Sequence, residues 1–152
     1  MNLTRLETIP AVQAVGIRLL HVHQFVYERS GGRIGHRLGG TRNLLLRTVG
    51  AKSGRPRTSA LSYARDGAPY VVVASMGGAP RSPGRYHNLR ARPEAEIQVG
   101  TRRMPVRATF VLPGDPDRDR LWDLVNRTNA GRYANYQSLT SRPIPVVVLT
   151  PR

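Results

Sequence analysis

Six short apolar runs, separated by turns rich in Gly, Pro and Asp, limit what this 152-residue chain can fold into. They are Asn43–Val49, Thr58–Ala64, Pro69–Ser75, Ala95–Val99, Arg102–Leu112 and Ile144–Leu149. Each is strand-length and rich in β-branched or aromatic residues, and the turn residues between them punctuate the pattern. Thr58–Ala64 and Pro69–Ser75 flank Asp66-Gly67, a hairpin signal. Pro105 inside the fifth run predicts an edge or a bulge, because proline cannot donate to a ladder. The runs do not alternate with helices. That excludes a Rossmann-type sheet and predicts a mainly β (α+β) domain, a small antiparallel barrel with peripheral helices.

Two helical segments interrupt the strands. One spans Gly84–Ala91, stopped before Pro93. The other begins near Asp115, where Asp115, Asp117 and Asp119 suit a helix N-terminus and Leu121, Trp122, Leu124 and Val125 supply a buried side. A third helix belongs to residues 1–29, an N-terminal amphipathic extension preceding a barrel domain at 30–152. Val12, Val15, Leu19, Val22 and Val26 recur at three- and four-residue steps and form one apolar stripe. That stripe either packs on its own domain or lies on a membrane or partner, and residues 9–28 are the candidate for peripheral membrane contact. Ser30–Gly40 is a Gly-rich connector, either mobile or wrapped against the site. No run approaches the length of a spanning helix, and no secretory signal is evident. The expectation is a cytoplasmic protein, at most at the inner face of the membrane.

The chain has no cysteine, which removes disulfides, thiol catalysis and thiolate metal sites. Its four histidines show no metal-ligand spacing with carboxylates, so no metal is expected. The formal charge is +15, and the cations are uneven: from Arg29 to Arg65 there are nine and no acid. Such a balance favours anionic partners. Lys52 is the sole lysine.

Within the acid-free stretch lies the turn Gly50-Ala51-Lys52-Ser53-Gly54-Arg55-Pro56-Arg57-Thr58. It lacks the spacing of a Walker motif. Its amides, with Lys52, Arg55 and Arg57, suit phosphate oxygens, although a plain basic hairpin turn has the same composition. Ser75-Met76-Gly77-Gly78 ends a strand with little side-chain bulk, which suits a flat ring near backbone. Arg85-Tyr86-His87-Asn88 opens a helix whose free amides attract anions. Tyr133 and Tyr136 are three residues apart and share one side of a helix.

These motifs, with Val71-Val72-Val73-Ala74-Ser75, Tyr86-His87-Asn88-Leu89 and Ile144-Pro145-Val146-Val147-Val148-Leu149, occur in an order and spacing that resembles the deazaflavin-dependent nitroreductase and quinone reductase family of actinobacteria, over about residues 40–150. The resemblance implies a split β-barrel that uses coenzyme F420. It implies that Lys52, Ser53 and Arg57 hold the cofactor's phosphate and glutamate tail, and that Thr58, Ser59, Ala60 and Leu61 run beside its ring. Ala74, Ser75 and Met76 then lie near the deazaflavin, and Arg85, Tyr86, His87 and Asn88 close the other side. Tyr63, Tyr133 and Tyr136 fall on the substrate side, with Tyr133 or Ser75 supporting the chemistry. The reaction implied is hydride transfer from reduced F420 to an electron-poor acceptor: a quinone, a nitroaromatic or an activated enone.

Departures from the family pattern are Ala51 before Lys52, Met76 where a lysine is common, and Arg85 where an aromatic often stands. Met76 removes a tail-binding cation, and Arg85 either replaces that cation or narrows the pocket. Ala130 stands near a position that can hold a third tyrosine. Two other readings fit the composition: a non-enzymatic basic barrel that binds nucleic acid, and a related barrel that holds FMN. Aromatics at 6% give no stacking platform among the cations, so no specific nucleic-acid partner is expected.

Overall fold

The computed structural model describes residues 18–38, 41–75 and 82–152. The helical stretch 18–29 (α1) leads through a turn to β1 (Arg37–Leu38) and β2 (Thr41–Val49). There follow β3 (Pro56–Ser62), β4 (Ala64–Arg65), β5 (Tyr70–Val73), α2 (Gly84–Ala91), β6 (Glu94–Val99) and β7 (Arg102–Val111). The chain closes with α3 (Arg118–Thr128), α4 (Arg132–Gln137) and β8 (Val146–Pro151).

Every strand pairing is antiparallel. The sheet runs β3-β2-β6-β7-β8-β5-β4, with β1 folded onto the start of β2. Its two edges, β3 and β4, are consecutive in the chain, and Tyr63 alone separates them. One residue spans less than about 4 Å, so the sheet must curl until its edges nearly meet. This is the small antiparallel barrel that the six apolar runs predict, of the split kind that the family resemblance implies.

Two-residue periodicity fills the barrel. Leu44 and Leu46 of β2, Leu61 of β3, Tyr70 and Val72 of β5, Ile97 of β6, Val106 of β7, and Val147 and Leu149 of β8 form one buried cluster. On the other face, Val71, Val73, Val111 and Val146 pack with Leu121, Val125 and Tyr133 of the two late helices. Strands β5 and β8 are therefore covered on both sides, which is why they read as unbroken valine runs.

The structure departs from the sequence expectations in several places. Eight strands form among the described residues, because two-residue pieces at Arg37–Leu38 and Ala64–Arg65 add to the ladders. The expected hairpin across Asp66-Gly67 is confined to Ala64–Arg65 against Tyr70–Val71, while Asn43 to Val49 pairs with Ser62 back to Pro56. The break at Tyr63, invisible to periodicity, sends one run to opposite edges of the sheet. Pro105 makes no bulge, and β6 pairs with β7 in unbroken register around it. Its carbonyl faces Arg152 N, just beyond the last β8 pair, so its missing donor falls where the ladder has ended.

Helix α1 docks on the barrel, but not by the predicted stripe. Leu19 and Val22 are 65% and 59% exposed, while Tyr27 is fully buried. The Tyr27 hydroxyl donates to Asn43 O at 3.0 Å and accepts from Gly100 N at 2.9 Å, and Gln24 bonds Thr58 O and Ala60 N of β3. Polar hooks onto strand backbone, rather than apolar area, decide the docked face. Val12 and Val15 lie outside the described residues, as do Gly39, Gly40 and the Met76-Gly77-Gly78 segment. The described part of the Gly-rich connector is wrapped down: a Cβ on Gly32 would stand within 2 Å of the Gly100 carbonyl oxygen. No described helix is long and apolar enough to cross a membrane.

Candidate active site

The β2–β3 turn is built by glycine. Gly50 N donates to Arg55 O at 2.8 Å, and Gly54 N to Gly50 O at 2.9 Å, with Gly54 at φ 68°. The Ser53 hydroxyl accepts from Arg55 N at 3.2 Å and lies 2.4 Å from where a Gly50 Cβ would stand. Real Cβ atoms do not approach that closely, so Gly50 lets Ser53 fold into the turn.

Asn88, buried in α2, fixes this turn from the far side. Its Oδ1 accepts from Ala51 N at 2.9 Å, and its Nδ2 donates to the Thr48 hydroxyl at 3.1 Å. Both ends of the amide are thus used by protein. Asn88 registers the turn against the helix.

Between turn and helix lies a groove of about 770 Å³. Lys52, Ser53, Arg57, Thr58, Ser59, Arg85, His87 and Asn88 line it, together with Gly50, Ala51, Pro83 and Gly84. No carboxylate is among these residues, and Lys52, Arg55 and Arg57 have no ion-pair partner among the described residues. The paired acids (Asp66, Glu94, Glu96, Asp117 and Asp123) serve arginines elsewhere. No side chain caps the N-terminus of α2, and its first turn holds no acid. Uncapped helix amides beside unpaired cations are donors of the kind an anion needs.

At its inner end the groove meets the barrel wall. Ala74, Arg85 and Tyr86, with Leu46, Val72, Val73, Leu89 and Val147, enclose a small apolar cavity of about 10 Å³. Arg85 lines both spaces. Burial pulls its guanidinium down to about 10, with Tyr133 nearby opposing that shift. Tyr133 is buried in the second cluster, edge-on to Tyr136 at 6.2 Å between ring centres. Burial raises its phenol, and Arg132 and Arg85 partly counter this. The left-handed pair Ala130 (φ 56°) and Gly131 (φ 72°) reverses the chain between α3 and α4 and so brings Tyr133 under the sheet.

The remaining candidates lie elsewhere. Ala60 is held by Gln24, and Leu61 faces the barrel interior. Tyr63 is buried at the end of β3 remote from the turn, with its hydroxyl 2.9 Å from His36 Nε2. Ser75 is buried past the end of β5, and its carbonyl accepts from Arg142 Nη2 at 3.1 Å. Arg142 also reaches Ala74 O and the Ser82 hydroxyl, so it spans the two ends of the 76–81 segment. Met76 lies outside the described residues. Gly50 and Ala51 lie inside the turn that the sequence singles out, whereas sequence reasoning does not assign Pro83, Gly84 and Arg142 to the site. Pro83 and Gly84 directly precede the Arg85-Tyr86-His87-Asn88 motif. The Arg142 guanidinium carries no local signal, since Ala74, Ser75 and Ser82, which it reaches, lie 60 to 68 residues away.

The profile of the F420H(2)-dependent quinone reductase family matches residues 19–151. An F420H(2)-dependent quinone reductase of Mycobacterium tuberculosis (strain H37Rv) is 60% identical over 139 residues, covering 91% of this chain and 93% of that protein. The solved structure of an F420-H2 dependent reductase, FDR-A, superposes with TM-score 0.61 at 34% identity, covering 70% of this chain and 92% of the other. A further solved structure, described only as a domain-swapped dimer, has TM-score 0.66 at 29% identity, covering 88% of this chain and 98% of that one.

Proposed function

We infer the reaction from the family to which this chain belongs, the F420H(2)-dependent quinone reductases: it reduces a quinone with reduced coenzyme F420. The observation that carries the reading at the site is the acid-free groove, three cations beside an uncapped helix, ending on an apolar strand. That donor set fits a cofactor with a charged tail and a flat ring.

When bound, the reduced deazaflavin supplies the hydride, and the quinone accepts it. Lys52, Arg57 and the Ser53 turn bind the phosphate and glutamate tail by charge-assisted hydrogen bonds. Asn88 keeps that turn at a constant distance from α2. Ala74, Ser75 and Tyr86 border the ring end, where the apolar wall excludes water. Tyr133 and Tyr136 stand on the substrate side, and the raised Tyr133 phenol stays protonated at neutral pH, available as a hydrogen-bond donor. The exposed Leu19, Leu20, Val22 and Phe25 of α1 give this basic protein an apolar face for peripheral contact with a membrane that carries quinone. Nitroaromatics and enones are further acceptors of the same electronic class.

The test is a fluorescence titration with oxidised coenzyme F420, with FMN in parallel. Saturable binding of the deazaflavin alone is expected. Lys52→Ala and Arg57→Ala each weaken it about 10- to 100-fold, the worth of one charged hydrogen bond, with unchanged circular dichroism. Unaltered affinity in both variants refutes the tail assignment.

A further inference from the structure

Arg85 is the cation in the groove that is not on the β2–β3 turn. It sits in the first turn of α2, lining both the basic groove and the small apolar cavity behind it. Its described hydrogen bond is a long one, 3.4 Å from Nη2 to Val73 O. A guanidinium has five donors. None of the described carboxylates pairs with it. Arg118, another arginine placed against the sheet, is treated differently: its Nη1 reaches two backbone carbonyls, at 2.7 and 3.1 Å, and its plane covers Trp122. Arg118 is a structural clamp, whereas Arg85 holds charge in reserve.

Arg85 is half-buried, and among the described residues none of its unbonded nitrogens is sealed from solvent, so an anion that enters the groove can reach them. The tail anchors occupy the turn. Arg85 lies beyond them, against Val73, Ala74 and the buried Tyr133. We propose that Arg85 binds the ring of the cofactor rather than its tail, as the counter-charge for the ring in its anionic form. This rests on the deazaflavin reading above. The ligand chemistry is a conjugated oxyanion. The ring hydroxyl of oxidised F420 loses a proton to give a charge delocalised over the ring oxygens, and a fixed guanidinium favours that state. The depressed pKa of Arg85 has the matching cause: desolvation disfavours its charge in the ligand-free protein, and an anion restores it.

The assay follows the absorbance of bound oxidised F420 while pH is varied, in wild type, Arg85→Gln, Arg85→Lys and Lys52→Ala. In the wild-type complex the ring should ionise at least about one pH unit below the free cofactor, a tenfold change in its ionisation constant. Arg85→Gln returns the ionisation to that of the free cofactor, and Arg85→Lys keeps most of the shift. Lys52→Ala lowers affinity but leaves the ionisation of bound ring where it was. Ligand-free Arg85→Met melts no lower than wild type, since all it loses there is one long hydrogen bond to Val73 O. An unshifted ring in wild type, or the same shift in Arg85→Gln, overturns the proposal, as does a lower melting point for Arg85→Met, which marks a structural role. If wild type binds no F420, the cofactor reading falls and this one with it. If Lys52→Ala matters and Arg85→Gln does not, only this one falls.

Discussion

Asn88→Ala separates a residue that positions the groove from one that merely lines it. The side chain is buried and joins Ala51 N at 2.9 Å to the Thr48 hydroxyl at 3.1 Å. Truncation removes both bonds. Ala51 is exposed, so water replaces its partner and that loss is about 0.5–1 kcal/mol. Thr48 is buried, so its hydroxyl is stranded in the wall of the barrel at about 1–2 kcal/mol. The sum is roughly 1.5–3 kcal/mol, which in a domain of this size lowers Tm by roughly 3–12 °C. The assay is thermal unfolding of the ligand-free protein, followed by titration with oxidised F420. Because the turn loses its tie to α2, cofactor affinity should fall as well, about tenfold for a misplaced charged contact. Asn88→Asp retains an acceptor for Ala51 N and should lose less stability, yet it places a carboxylate in the anion groove and should lose more affinity. A ligand-free Asn88→Ala protein that melts within about 1 °C of wild type would refute the positioning argument.

Three further outcomes follow from the same reasoning. Tyr27→Phe removes a buried hydroxyl that bonds Asn43 O and Gly100 N, and should cost about 1–3 kcal/mol in a urea melt. Its effect on cofactor binding should be small, since Tyr27 is not in the groove. Arg118→Met strands the Val111 and Ile144 carbonyls and should destabilise by about 2–4 kcal/mol, with the loss visible as weakened near-ultraviolet signal from Trp122. Asp66 is held below the ordinary carboxylate range by its hydrogen bonds from Arg120. A depressed carboxylate contributes stability above its unfolded-state pKa and loses it as pH falls through the folded value. Wild type should therefore lose its margin over Asp66→Asn below about pH 4, and added salt should shrink that margin at neutral pH.

How much of this was legible beforehand divides along the range of the interactions. Alternation and turn chemistry are local, and so the strand-rich character, the Gly84–Ala91 helix and the β2–β3 turn can all be read from neighbours in sequence. The charge asymmetry is also a sequence property, and the acid-free groove is its spatial expression. What periodicity cannot carry is a change of partner within a run. The chain from Pro56 to Arg65 looks like one strand, yet it serves both edges of the sheet because the barrel closes at Tyr63. The face by which α1 docks is likewise decided by where strand backbone lies waiting for Tyr27 and Gln24, not by the valine stripe. The same division holds in the site. The sequence alone determined the kind of ligand, anionic and ring-bearing, through the types of residue gathered in Gly50–Asn88. Only tertiary structure decided their roles. A bond across 37 residues makes Asn88 a strut for the turn, and a single long bond to Val73 O with no described carboxylate partner makes Arg85 a charge awaiting its counterpart. Hydrogen bonding and desolvation act through space, and neither leaves a mark on residue spacing.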